Sequence, residues 1–230
     1  MNSEKAFWSD RYLKINQRRL EHLASLRLPL TIKTVLEVGA GIGDHTDFFV
    51  DRGCLVTTTE AKSENLKILR ERFKNNTNVE VEFLDMNYPE WKIKLKPFDI
   101  VYCYGLLYHL HEPLNALRFM AENCSEMLLL ETCVSLNDNE SIEFCNDSSS
   151  DPTGSMNGTG CRPSRSWVFN KLKELFDYVY LPTTQPFHKE FPLDWRSLHT
   201  DLLTRAIFIA AKKPFYNTNF IDFIPSVQTR

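Results

Sequence analysis

The run Thr34-Val35-Leu36-Glu37-Val38 leads directly into Gly39-Ala40-Gly41-Ile42-Gly43, and no other stretch of the 230 residues constrains the fold as tightly. A short apolar run closed by glycines reads as a strand buried on both faces. Glycine at alternate positions lets the backbone turn sharply and approach a ligand closely. A helix starting just beyond presents free N–H groups to the same point. Asp44 is placed to cap that helix, which runs through Phe48 and Phe49. A dinucleotide-binding loop has the form G-x-G-x-x-G and would put its third glycine at position 44. The residue there is Asp44, which a pyrophosphate would avoid. Glycines at 39, 41 and 43 between Glu37 and Asp44 suit a ligand without phosphates, one carrying positive charge.

The rest of the chain alternates between the two periodicities. Residues 5–27 place Trp8, Tyr12, Ile15, Leu23 and Leu26 on one helical face, ended by Pro29. Strands are predicted over 54–59, 79–84, 98–104 and 127–134. Helices follow from Ser63, with Leu66, Leu69 and Phe73 on one face, and from Pro113, with Leu114, Leu117, Ala121 and Cys124. Residues 135–162 change character, being rich in Ser, Asn, Asp and Gly, and a loop of that length is expected to act as a flexible lid. Ser164 then caps a helix bearing Val168, Leu172, Leu175 and Phe176. Strands over 178–181 and 206–211 are joined by a proline-containing loop, which predicts a hairpin at one sheet edge. The fold class is therefore α/β, with a mostly parallel but mixed sheet flanked by helices. The expected organisation is a helical cap over 1–29, one ligand-binding domain over 30–213, and a tail over 214–230.

Composition narrows the function classes. With 43% hydrophobic and 25% charged residues the chain is globular in type. A net charge of −3 argues against coating nucleic acid through bulk charge, although it leaves room for a local basic patch. The six cysteines form no CxxC pair and fit no zinc spacing, so no metal site is expected. Unpaired thiols in apolar runs, and a polar start without an apolar signal core, lead to the expectation of a cytoplasmic protein. No apolar run approaches the ~18 residues a membrane span requires.

Two further carboxylates fall at strand ends. Glu60 lies 21 residues beyond Gly39, where it can accept both hydroxyls of a ribose. Asp85, followed by Met86, comes after the third strand and can accept from an amine such as that of adenine. Open α/β sheets bind their ligands at these carboxyl ends. With V-L-E-V-G-A-G-I-G at 35–43, Glu60, L-D-M at 84–86 and Y-G-L-L-Y-H-L at 104–110, the chain resembles the class I S-adenosylmethionine-dependent methyltransferases over roughly residues 30–212. The resemblance implies a Rossmann-like seven-stranded sheet of order 3-2-1-4-5-7-6 with the last strand antiparallel. It also implies S-adenosyl-L-methionine as cofactor. Gly39, Gly41 and Gly43 would pack on its methionine part, Glu60 would hold the ribose, and Asp85 with Met86 the adenine. Glu37, Ala40, Ala61, Tyr104 and Gly105 complete the expected cofactor wall.

A narrower resemblance joins G-L-L-Y-H-L-H-E-P-L, L-L-L-E-T and a Pro-Ser before a helix to the group that includes the tRNA wobble-uridine carboxymethyl transferases. That group's tyrosine points to Tyr108 as a site residue. The long N-terminal extension of those enzymes is absent from this sequence, so neither tRNA nor a carboxylated cofactor is carried over. His109, after the fourth strand, is the candidate general base, because an imidazole pKa near ~6.5 suits that task. Its other use would be to cap the strand end. Glu131 ends the fifth strand and is expected to orient His109 or bind a substrate hydroxyl, unless a helix N-terminus satisfies it. Arg162, Arg165, Trp167 and His188 form the expected substrate wall, the arginines being able to grip an acidic group. The leading function is methyl transfer to a small-molecule or sugar acceptor at oxygen. The alternatives are RNA methyl or carboxymethyl transfer, and a non-catalytic cofactor-binding interaction module.

Overall fold

A computed structural model describes residues 2–90, 96–137, 139–196 and 203–230. Ten strands are present among them: β1 (Thr34–Val38), β2 (Leu55–Glu60), β3 (Val79–Phe83), β4 (Phe98–Tyr104), β5 (Cys124–Val134), β6 (Ile142–Asn146), β7 (Thr159–Pro163), β8 (Tyr178–Pro182), β9 (Thr204–Ala211) and β10 (Phe220–Ile221). The helices are α1 (Ser3–Phe7), α2 (Asp10–Ser25), α3 (Thr46–Val50), α4 (Ser63–Phe73), α5 (Pro113–Glu122) and α6 (Arg165–Leu175).

Eight strands form one sheet in the order β10-β8-β9-β5-β4-β1-β2-β3. Strands β1 to β5 pair in parallel, and β9 runs antiparallel to both β5 and β8. Without β10 and the separate β6–β7 pair, this is the expected seven-stranded order with one antiparallel strand. The short β10 extends the sheet by pairing antiparallel to β8. The connection from β8 to β9 includes residues 197–202, which lie outside the described residues.

Helices cover both faces, which is why the central strands read as unbroken apolar runs. On one face Leu36, Val101, Leu128 and Phe208 pack against Leu117 of α5 and Val168 and Leu172 of α6. On the other, Val35, Ile100, Leu129 and Ile207 pack with Leu23 of α2 and Phe49 of α3. The predicted N-terminal helix is broken at Ser9, where a β-region backbone precedes α2. Ser164 caps α6 as expected, its hydroxyl accepting from the Trp167 N–H at 3.1 Å.

Three expectations are corrected here. The stretch 135–162 is not an open loop: β6 and β7 pair antiparallel within it, from Ile142↔Pro163 to Asn146↔Thr159. Its polar composition gave no period-2 signal, because neighbouring Glu143 and Phe144 of β6 are both exposed. The C-terminal stretch is not a free tail. Besides β10, Thr229 bridges Thr184, Val227 bridges Asp194, and buried Gln228 hydrogen-bonds Gln185 and Trp195. Asp44 does not cap α3, whose N-cap is His45; an Asp44 oxygen instead accepts from Arg72 at 2.8 Å.

Candidate active site

The carboxyl ends of β1, β2 and β4 and the residues just after β3 open onto two adjoining cavities. The first is a cleft, partly open to solvent, between these strand ends and residues 152–156. Gly39, Gly41, Glu60, Ala61, Asp85, Met86 and Gly105 line it, as the sequence predicts. The second is lined by Glu37, Ala40, Asp44, His45, Arg19 and Tyr104 among others. The two share Phe7, Tyr12, Gly39 and Gly105.

Glycine is required at 41 for two reasons. Its φ is +61°, and a Cβ there would stand 2.6 Å from the Phe7 ring. The turn therefore leaves a cradle that a side chain would fill. Gly43 serves another purpose: it lines neither cavity, and its missing side chain makes room for Leu69 and Phe73 of α4.

The carboxylates at the strand ends are held by the backbone. Glu60 accepts from the N–H groups of Gly41 (2.9 Å), Ala61 (2.9 Å) and Lys62 (2.7 Å). Burial raises its pKa, and those three bonds oppose the rise. A carboxylate offers about four acceptor positions, so little capacity remains for a ligand unless a backbone bond yields. Asp85 Oδ1 accepts from the N–H and side-chain amide of Asn87, while Oδ2 has no partner among the described residues. Glu37 is buried beneath the second cavity and accepts from Thr46 Oγ1 at 2.6 Å and Thr58 Oγ1 at 3.1 Å. Burial raises its pKa to about 7 against those hydrogen bonds.

The second cavity is surrounded by unsatisfied polar atoms. Arg19 Nε, His45 Nε2, Tyr104 Oη and Asp44 Oδ2 are buried and have no hydrogen-bond partner among the described residues. Orphaned buried groups are costly, so four around one small space indicate that a polar ligand belongs there.

His109 ends the 3₁₀ turn Leu107–His109 after β4 and lines the first cavity. Its Nδ1 hydrogen-bonds Asp147 Oδ2. Burial lowers the His109 pKa, partly countered by Asp147. Burial would raise Asp147, but the bond from His109 prevails and holds that carboxyl below its usual range. Near neutral pH the pair is thus imidazole beside carboxylate, with Nδ1–H donating and Nε2 left as an acceptor.

Glu131 does not orient His109. It is fully buried, with Oε2 2.7 Å from Arg19 Nη2 and Oε1 3.0 Å from Arg205 Nη1. Arg205 also meets Glu190 at 2.7 Å, and Glu190 meets Arg11 at 3.1 Å. This ladder ties α2 to β5, β9 and the loop before β9. Tyr108 lies behind the cavities, its ring 5.0 Å from the Arg205 guanidinium and 5.3 Å from that of Arg162.

The predicted substrate wall is not assembled. Arg162 donates to the carbonyls of Cys161 and Tyr108, and Arg165 donates to that of Pro225 while lying over Trp195. Trp167 is buried in the core, and His188 Nδ1 accepts from the Glu190 N–H. None of the four lines either cavity. The residues that do line the first one include Phe7, Tyr12, Asn65, Asn87 and the stretch 152–156. Phe7 lies off the apolar stripe read for the N-terminal helix, and Asp147 stood among other polar loop residues, so neither carried a periodic signal. Among the described residues no group of side chains could hold a metal, and no helix is long and apolar enough to cross a membrane.

Comparison with known proteins agrees with this architecture. Residues 35–127 match the methyltransferase domain family. The N-terminal domain of EvdMO1, crystallised in the presence of SAH and D-fucose, superposes with a TM-score of 0.64 at 20% identity, over 89% of this chain and 85% of that one. An S-adenosylmethionine-dependent methyltransferase from Mesorhizobium loti gives 0.60 at 12% identity, over 84% and 97%. The glycopeptide N-methyltransferase MtfA complexed with S-adenosyl-L-methionine gives 0.53 at 16% identity, over 86% of each chain. At such identities the likeness concerns the fold. No curated protein matches the chain. None of these matches names a tRNA carboxymethyl transferase, and they lend that narrower resemblance no support. Residues 35–127 thus match a methyltransferase domain, and the chain has the Rossmann-like fold of the S-adenosylmethionine-dependent methyltransferases on which it superposes.

Proposed function

We propose that this protein transfers a methyl group from S-adenosyl-L-methionine to a hydroxyl of an uncharged small molecule or sugar unit. The observation that carries the reading is the position of His109: its ring, bound to Asp147 through Nδ1, lines the same cavity as Gly39, Gly41, Glu60 and Asp85.

The residues present fit the cofactor. Glu60 and the free oxygen of Asp85 suit a nucleoside, and Met86 and Leu106 provide apolar surface. The orphaned donors Arg19 and His45 suit a carboxylate, while Asp44 and Glu37 suit an ammonium. Together they match the zwitterionic amino-acid end of the cofactor. When bound, the cofactor supplies an activated methyl group on a sulfonium. The protein's part is alignment, which is worth much of the barrier in an in-line displacement. His109 Nε2 accepts the acceptor's hydroxyl proton, a step that contributes roughly 10²–10⁴-fold. Gly105 lines both cavities, and a Cβ there would stand 3.2 Å from Arg19 Nη2.

The acceptor class is supported by charge. Among the described residues Lys62 and His109 are the basic side chains that line the first cavity, and Lys62 already donates to the carbonyls of Ser149 and Asp151. An RNA backbone would need several free cations there. The relatives also include a domain crystallised with D-fucose and a glycopeptide N-methyltransferase, which supports a sugar-bearing acceptor.

The test begins with calorimetric titration of S-adenosylmethionine and S-adenosylhomocysteine into wild type, Glu60→Ala and Asp85→Ala. Binding by wild type and its loss in both variants is expected. Methyl transfer to a panel of deoxysugars and phenols follows, with His109→Gln binding cofactor yet turning over roughly 10²-fold or more slower. Folded wild type that binds neither ligand would refute the reading.

A further inference from the structure

The segment between β6 and β7, residues 147–158, crosses the mouth of the first cavity and is fastened at both sides of it. At its root Asp147 holds His109 Nδ1. At its tip Asn65 Nδ2 donates to Pro152 O at 3.0 Å, and Lys62 Nζ donates to the carbonyls of Ser149 and Asp151. Residues 152–156 between them line the cavity directly. The segment also braces itself: Asp147 N–H donates to Gly158 O at 2.9 Å, and Ser155 Oγ to Asp147 O at 3.1 Å. On the returning strand a Cβ at Gly160 would stand 2.7 Å from Tyr108 O and 3.1 Å from Asp147 Oδ2. The absence of a side chain there is what lets Asp147 reach the imidazole.

We propose that this segment is a strap whose purpose is to set the base: Asp147 and Gly160 are positioning residues for His109, and Asn65 with Lys62 is the latch that keeps Asp147 in place. What His109 then does rests on the function proposed above. The latch residues sit at the N-cap (Lys62) and in the first turn (Asn65) of α4, just beyond Glu60, and the Lys62 N–H itself donates to Glu60. One stretch of backbone therefore touches both the carboxylate offered to the cofactor and the strap that holds the base. Exchange of cofactor requires the latch to open, and opening it withdraws Asp147.

The charged groups facing His109 are Asp147 from the strap, Arg162 from β7 and Arg205 from β9, with the Tyr108 ring 4.0 Å away. Both arginines disfavour the imidazolium, and Asp147 alone favours it. Removing Asp147 therefore lowers the His109 pKa and frees its tautomer.

The experiment is ¹⁵N–¹H NMR of the histidine side chains in wild type, Asp147→Ala, Asp147→Asn, Gly160→Ala and Asn65→Ala. Wild type should show one His109 tautomer, protonated at Nδ1. The Asp147 and Gly160 variants should lose it, and the acidic limb of turnover should move to lower pH in Asp147→Ala. Asn65→Ala should speed protease cleavage within 147–158 and cofactor dissociation. An unchanged His109 tautomer and titration in both Asp147 variants would overturn the positioning role. Unchanged cleavage and dissociation in Asn65→Ala would overturn the latch. The tautomer and cleavage readouts need no acceptor: a tautomer shift without cofactor binding by wild type would uphold the strap and remove the proposed function.

Discussion

Replacing Glu131 by alanine strands two guanidinium groups in the interior. The Arg19 and Arg205 side chains are 3% and 6% exposed, and the Glu131 side chain between them is fully buried. Neither arginine can reach water without breaking the packing of α2 or β9. Arg205 retains Glu190 and the Tyr108 hydroxyl, and Arg19 retains Asn16 at 2.9 Å. Two charge-assisted hydrogen bonds are lost, each worth about 1.5–3 kcal/mol. Breaking a buried pair from one side typically costs about 3–5 kcal/mol. For a chain of this size that is a fall in Tm of about 6–20 °C, since each kcal/mol moves it about 2–4 °C. Urea denaturation followed by near-ultraviolet circular dichroism measures it. The double change Glu131→Met, Arg19→Met should recover part of the loss, because it removes one stranded guanidinium and leaves Arg205 on Glu190. A Glu131→Ala loss below about 1 kcal/mol, or a double variant no better than the single one, would refute the account of Glu131 as an interior clamp.

Two further outcomes are expected. Gly41→Ala places an alanine at φ +61° against the Phe7 ring, costing about 1–2 kcal/mol in backbone strain and narrowing the cofactor cleft; its cofactor affinity should fall, and Phe7→Ala in the same chain should restore part of the affinity but none of the strain. Wild-type affinity in Gly41→Ala would contradict the cradle. Glu37, with its pKa raised to about 7 in the fold against about 4.3 unfolded, makes the native state bind more protons across that window. Stability should therefore fall as pH rises from about 4.3 to about 7, by on the order of 3 kcal/mol from this group. Glu37→Gln should flatten that part of the curve, and an unaltered slope in chemical denaturation at pH 5 to 8 would count against it.

That the candidate cofactor residues share one edge was legible because it follows from strand order. Once the apolar runs are read as parallel strands, their carboxyl ends must lie along one edge, and Glu37, Gly39, Glu60 and Asp85 come with them. No side-chain contact had to be known in advance. The same reasoning placed Glu131 and Tyr108 near that edge but could not say which way they face. Both turn inward, because arginines 112 and 74 residues away in sequence from Glu131 converge on it.

Pattern therefore determined the architecture, and long-range pairing determined the chemistry. The 2.0 and 3.6 residue periodicities are local, so the alternating strands and helices, the glycine turn and the Ser164 cap could all be read from residues within a few positions of one another. Arg162 and Arg165 looked free on the same terms, and only the fold shows their donors spent on the Tyr108, Cys161 and Pro225 carbonyls. The partner of His109 is a loop aspartate 38 residues on, brought there by a hairpin whose short strands carry no regular apolar alternation to announce it. Polar side chains follow no period. Which of them meet is decided by how the whole chain closes on itself, and burial then makes those meetings obligatory.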